Sequence, residues 1–148
     1  MTVRSTVLLS LVIAACGDAT GPAVPLGDLS AAGRYYYFAY DDAERLVLQG
    51  TIRIQQHDDT SFAGTWAIAW APGADTTAVV GPQVGTGDFV GRIWDGELSV
   101  DLNPFWVDNN VYLMVERRTP FGFSGRWIYV TIAGPWTEGR FVLDLPSR

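Results

Sequence analysis

The run Phe62-Ala-Gly-Thr-Trp-Ala-Ile-Ala-Trp70 decides the fold. Phe62, Gly64, Trp66, Ile68 and Trp70 fall on alternate positions, with only Ala and Thr between them. A period of two over nine residues is that of a half-buried β-strand, large side chains inward and small ones outward. The same alternation recurs on both sides of this run. Leu46, Leu48, Gly50, Ile52 and Ile54 alternate with Val47, Gln49, Thr51, Arg53 and Gln55; Leu98, Val100 and Leu102 alternate with polar residues; Phe123, Gly125, Trp127 and Tyr129 repeat the aromatic version. No convincing helical period follows the N-terminal leader.

A short unit runs through these strands: Gly, then Thr or Arg, then an aromatic residue or Ile. Its copies begin at Gly33, Gly50, Gly64, Gly91, Gly125 and Gly139. Glycine and ring share a face, so a glycine on the inner face lets a neighbouring side chain come close and lets the strand bend sharply. The larger match of Phe62-Ala-Gly-Thr-Trp66 to Phe123-Ser-Gly-Arg-Trp127 reads as duplication or as repeated geometry. Turn-forming residues at Asp41-Asp42, His57-Asp58-Asp59, Asp95-Gly96, Pro120 with Gly122, and Gly134-Pro135 mark reversals. Eight strands result, at 33–40, 46–56, 60–71, 86–94, 97–103, 110–118, 123–132 and 137–145. The short links predict an all-β, up-and-down antiparallel barrel, with residues 72–85 as a long mouth loop.

The layout resembles the calycin-type barrels, the lipocalins and avidins, in strand number and in the Gly-x-aromatic strands. The resemblance implies a fold only. The lipocalin Gly-x-Trp signature is replaced by Gly33-Arg34-Tyr35, and no biotin-site pattern is present. An outer-membrane barrel has the same strand number and alternation. The C-terminal Leu145-Pro-Ser-Arg148 and the rings sharing a face with glycines favour a barrel outside the bilayer.

The N-terminus carries a second signal. Arg4 precedes an apolar stretch from Val7 to Ile13, followed by Ala14-Ala15-Cys16. This order matches a bacterial signal peptide and resembles the lipobox of bacterial lipoproteins. The resemblance implies a diacylglyceryl group on the Cys16 thiol and cleavage after Ala15. The apolar run is shorter than the roughly 20 residues of a spanning helix. Gly17, in place of Asp, after the Cys favours the outer membrane over the inner. With the Gly17-Asp-Ala-Thr-Gly-Pro22 stretch and Pro82-Gln-Val-Gly-Thr86, the chain resembles small uncharacterised lipoproteins of high-GC bacteria, a family with no activity to transfer. The expected organisation is a signal peptide at 1–15, a lipidated Cys and flexible tether at 16–32 reaching about 20–25 Å, and a barrel at 33–148.

Composition limits the rest. The 148 residues include 13% aromatic and 18% charged side chains, the composition of a packed body. Every basic residue is Arg, and the net charge of −6 becomes −7 when Arg4 leaves with the leader. An acidic chain without a basic stripe points away from nucleic acid. Cys16 is the only cysteine, so no intrachain disulfide forms.

No catalytic, metal or cofactor motif emerges. His57 beside Asp58 and Asp59 reads as a polar turn, and a zinc site lacks partner ligands. Asp101 to Asn110 is oxygen-rich, but its spacing fits no EF-hand and it reads as a solvated loop. The inner face carries no carboxylate pair of the glycosidase kind, the serines lack a His partner, and Gly85 and Gly87 precede no helix. Aromatic surface remains. Trp66, Trp70, Trp127, Tyr129 and Phe141 converge on an interior that eight strands either fill or leave open to one small apolar ligand. Phe105, Trp106 and Trp136 fit the core less well and are candidates for a rim, a membrane contact or a partner contact. The sequence therefore predicts a non-enzymatic, lipid-anchored envelope lipoprotein with a binding or structural role, its partners being the membrane and a small apolar ligand or an envelope protein. The alternative is an inhibitor or adaptor of a periplasmic or secreted enzyme, acting through loops 72–85 and 103–110.

Overall fold

The computed structural model describes residues 32–58, 60–94, 97–119 and 121–146. The expected signal peptide, Cys16 and the tether through residue 31 lie outside the described residues, as does the side chain of His57. Eight strands follow in order: β1 (Gly33–Tyr40), β2 (Leu46–His57), β3 (Ser61–Trp70), β4 (Gly85–Trp94), β5 (Glu97–Asp101), β6 (Asn109–Thr119), β7 (Gly122–Thr131) and β8 (Gly134–Asp144). Each pairs antiparallel with its sequence neighbours, and β8 closes on β1 through Tyr36↔Asp144 to Tyr40↔Arg140. The expected up-and-down barrel is the observed one. It has an entry end, where the chain arrives at Gly33, and a loop end carrying the links 41–45, 71–84, 102–108 and 132–133.

Glycine makes the tight closure possible. Three inner-face rings lie across a glycine of the next strand: Phe62↔Gly91, Trp66↔Gly87 and Trp127↔Gly139. A Cβ on Gly91 would come within 2.2 Å of the Phe62 ring, and one on Gly87 within 2.7 Å of Trp66. The ring fills the space that its cross-strand partner leaves empty, and the sheet curls around it.

The core is therefore rich in aromatic side chains. Tyr37, Phe89, Trp127 and Phe141 are among the largest fully buried side chains, with Tyr35, Phe62 and Trp66 beside them. The space left inside is about 20 Å³, between apolar residues including Ile54, Phe62, Leu113 and Phe123. A water needs two to four polar partners, so a void of this size and lining stays dry. Of the two interiors eight strands allow, the packed one is observed.

Two boundaries differ from the sequence reading by more than one residue. β5 ends at Asp101, although Leu102 is still buried. β8 begins at Gly134 and includes Pro135 and Trp136, where a turn was expected. A register shift at Tyr129/Val130 lets Pro135 pair with Val130. β8 meets β1 only over residues 140–144, so 134–139 overhangs without a β1 partner. Proline is tolerated in a strand at such an edge. Thr137 Oγ1 donates to Val79 O at 2.6 Å, which ties the 71–84 loop to the overhang.

Candidate functional site

The loop end is closed from above. Residues 71–84 fold across it and bury Ala71, Val80 and Gln83. Gln83 is wholly buried: its Oε1 accepts the Tyr37 hydroxyl at 2.7 Å, and its Nε2 donates to Val80 O at 2.7 Å. Burial of the Tyr37 phenol raises its pKa far above the usual tyrosine range, so it remains a donor. The long link expected as a mouth loop is a plug.

A second polar cluster holds the neighbouring β5–β6 link. Asn103 Nδ2 donates to Pro82 O at 2.9 Å, and Asn103 Oδ1 accepts Val111 N at 3.2 Å. Asn110 Nδ2 donates to Asn103 O at 2.9 Å and to both oxygens of Asp101 at 3.0 and 3.1 Å. Asn103 and Asn110 are buried, so part of the solvated loop expected for 101–110 is a hydrogen-bonded polar base, in which Asn109 Oδ1 is left without a partner while 105–108 face water. Amide N–H groups aim at the Asp101 carboxylate, which is the wrong polarity for a cation, and no group of three His, Cys, Asp or Glu able to hold a metal occurs among the described residues.

On this base stands an apolar tip. Phe105 is 81% exposed, Trp106 56% and Val107 85%. Trp106 N donates to Asn103 O at 3.0 Å, and Asp108 closes the link with φ 64°, a left-handed conformation that Asp accepts more readily than most residues. Three consecutive large apolar residues thus face water on a loop fixed at both ends. Around them at the same end, Val79, Val84, Ile132 and Trp136 are also exposed. Trp136 stacks on Tyr129, centroids 6.2 Å apart and planes at 13°.

Beside the tip the barrel wall splits. β4 pairs with β5 only from Val90 to Trp94, leaving Gly85–Phe89 without a strand on that side. The Trp66 indole N–H bridges the split, donating to Leu102 O at 2.7 Å and more weakly to Asp88 O at 3.3 Å. Outside it lies a groove of about 300 Å³ lined by Val84, Thr86, Gly87, Pro104, Phe105 and Trp106, among others. This groove, with the tip, can receive an apolar side chain from outside.

The rings expected as a ligand set lie on or against the interior, where the alternation puts them. Trp66, Trp127 and Phe141 are core, and Trp70 and Tyr129 pack half-buried against it. Trp127 Nε1 donates to Tyr40 O at 2.9 Å. The interior brings these rings together as packing. Gln83, Asn103 and Asn110 were missed as site-builders, although Phe105 and Trp106 stood out in the sequence as rings without a core place.

Among solved structures, the chain is similar to one described as the de novo design of a fluorescence-activating β-barrel. The TM-score is 0.50 at 10% identity, covering 82% of this chain and 99% of that one. At that identity the likeness shows the fold alone: a closed eight-stranded antiparallel barrel. No family model matches the chain, and no relative is found among the curated proteins.

Proposed function

We propose that this chain is a lipid-anchored envelope protein, held at Cys16, whose non-enzymatic role is to bind another protein through the loop end of its barrel. The observation that carries this reading is the Phe105-Trp106-Val107 tip on its hydrogen-bonded base. Exposed aromatic residues on a preordered loop lose little entropy on binding, and Trp is among the side chains that dominate interface energies. The packed interior favours an external site over an enclosed one, because a ligand of any size must first displace core side chains.

Charge narrows the partner. The loop end carries Asp41, Asp42, Glu44, Asp75 and Asp108, with Arg45 engaged by Asp41 at 2.7 Å and Glu44 engaged by Arg140 at 2.9 Å. An acidic surface with apolar anchors suits a partner with basic residues around an apolar cleft. It suits an anionic lipid surface poorly. The chain also enters the barrel at the opposite end, so an anchor at Cys16 leaves the aromatic tip free to face away from its own membrane. An inhibitor or adaptor of a periplasmic or secreted enzyme fits this arrangement.

Two experiments test the reading. Metabolic labelling with a fatty acid is expected to mark the wild type and not Cys16→Ala; equal label would remove the anchor. Affinity capture is expected to recover a defined partner with the wild type and to lose it with Phe105→Ser/Trp106→Ser. Recovery of the same partner by both would remove the loop-end site.

A further inference from the structure

A different part of the surface carries an unbalanced charge. Arg34 on β1 and Arg53 on β2 stand directly opposite each other in the antiparallel register, and both are exposed. Like charges directly opposite across a strand pair are destabilising. Arg45, Arg126 and Arg140 each hold a carboxylate, at 2.7, 2.7 and 2.9 Å. Among the described residues, Arg34 and Arg53 have neither an ion pair nor a side-chain hydrogen bond. Arg92 and Arg117 likewise hold no carboxylate among the described residues, but they stand opposite Ser61, Ser99 and Ser124, so what marks Arg34 and Arg53 is that two open guanidiniums share one cross-strand position.

The cross-strand row continues through Thr65 on β3 to Asp88 on β4. With strands about 4.8 Å apart, Asp88 stands roughly 10 Å along the row from Arg53. The next row, Tyr36, Thr51, Ala67 and Thr86, supplies hydroxyls on the same outer face. All of these residues except Tyr36 line a depression of about 510 Å³ in the wall. It is hollow because Ala67, between Thr51 and Thr86 in that row, is small.

We infer that this groove binds a zwitterion with a phosphate at the Arg34–Arg53 end and an amine at the Asp88 end, the chemistry of a phosphoethanolamine group. Two guanidiniums and nearby threonine hydroxyls supply the donors that a phosphate needs, and the anion removes the repulsion between the arginines. The Asp88 carboxylate, two strand intervals away, rejects a second anion and accepts an ammonium. The group is available free or as a lipid headgroup. The Asp88 end adjoins the groove beside the aromatic tip, sharing Thr86, Gly87 and Asp88 with it, whereas Arg34 and Arg53 lie outside that groove, so Arg53→Gln tests this site apart from the loop-end reading.

The test is calorimetric titration of the full-length chain in a non-ionic detergent. O-phosphoethanolamine, inorganic phosphate and ethanolamine are compared at equal ionic strength. Phosphoethanolamine is expected to bind at least about threefold more tightly than phosphate, and ethanolamine not to bind. Arg53→Gln should weaken both phosphate compounds about tenfold. Asp88→Asn should erase the advantage of phosphoethanolamine while leaving phosphate binding at least as strong. Arg34→Gln, without added anion, should raise the thermal midpoint, because one of two opposed charges is gone. Phosphate binding no better than chloride, or unaffected by Arg53→Gln, overturns the site; equal affinity for phosphate and phosphoethanolamine in the wild type overturns the zwitterion. Sedimentation of Cys16→Ala with phosphatidylethanolamine vesicles, compared with the same chain carrying Arg53→Gln, separates the sources. A difference identifies the headgroup, and soluble binding without one identifies the free compound.

Discussion

The hydroxyl of Tyr37 donates to Gln83 Oε1 at 2.7 Å, joining the inner face of the first strand to the loop that plugs the barrel. Both side chains are fully buried, so neither can turn to water if the other is removed. Tyr37→Phe leaves the Gln83 oxygen without its donor and is expected to cost about 1–3 kcal/mol. Urea denaturation checks this. A double-mutant cycle with Gln83→Leu should return a coupling energy of about 0.5–3 kcal/mol, whereas additive effects would show that the bond does not form.

Gly91 and Phe62 should behave as one packing unit. Gly91→Ala places a methyl group against the Phe62 ring, which cannot retreat through a filled core. The single change is expected to destabilise by about 1–3 kcal/mol. Gly91→Ala combined with Phe62→Leu should recover part of that loss, as read from urea midpoints. A double variant no better than the sum of its singles would contradict ring-over-glycine packing.

Asp58 sets the acid limb of stability at the β2–β3 turn. Its carboxylate accepts the backbone N–H groups of Thr60 and Ser61 at 2.9 and 2.7 Å and the Ser61 hydroxyl at 2.8 Å. These donors hold its pKa down to about 2, below the ordinary aspartate value. A depressed folded-state pKa stabilises above the unfolded value and is lost as pH falls through the folded one. The thermal midpoint of the wild type should therefore exceed that of Asp58→Asn at pH 5 and above. The gap should narrow between about pH 4 and pH 2. A constant gap would show that the carboxylate charge is not used.

The aromatic tip should matter for binding and not for folding. Phe105→Ser and Trp106→Ser remove side chains that lie mostly in water, so stability should stay within about 0.5 kcal/mol of the wild type. A loss of several kcal/mol would place these rings in the structural core.

The alternation in residues 62–70 and 123–129 made the strands legible, because a half-buried strand writes its two faces directly into the sequence. The Gly-x-aromatic unit likewise announced the close approach of ring to glycine that closes the barrel. The plug was not legible. Gln83 and Asn103 lie in links with no period and Asn110 at the start of β6, and a polar side chain there looks the same whether it faces water or a buried carbonyl. Only the fold brings Asn103 to Pro82 and Gln83 to Tyr37, 21 and 46 residues apart in sequence. Gly134-Pro135 misled because proline after glycine has the composition of a turn, and only the absent β1 partner makes it a permissible strand start. The rings of the interior were identified correctly, while their number alone did not decide between packing and a cup. Phe105 and Trp106 were visible as rings without a core place, but not the base that fixes them.

The most direct measurement is photo-crosslinking in the cell envelope from one exposed aromatic position at each end of the barrel. Trp106 stands at the loop end and Phe121 at the entry end, 56% and 72% exposed. A photoreactive residue replacing Trp106 is expected to give a discrete adduct with one partner protein, and the same residue replacing Phe121 is expected not to give it. The same adduct from both positions, or from Phe121 alone, would contradict a binding surface at the loop end.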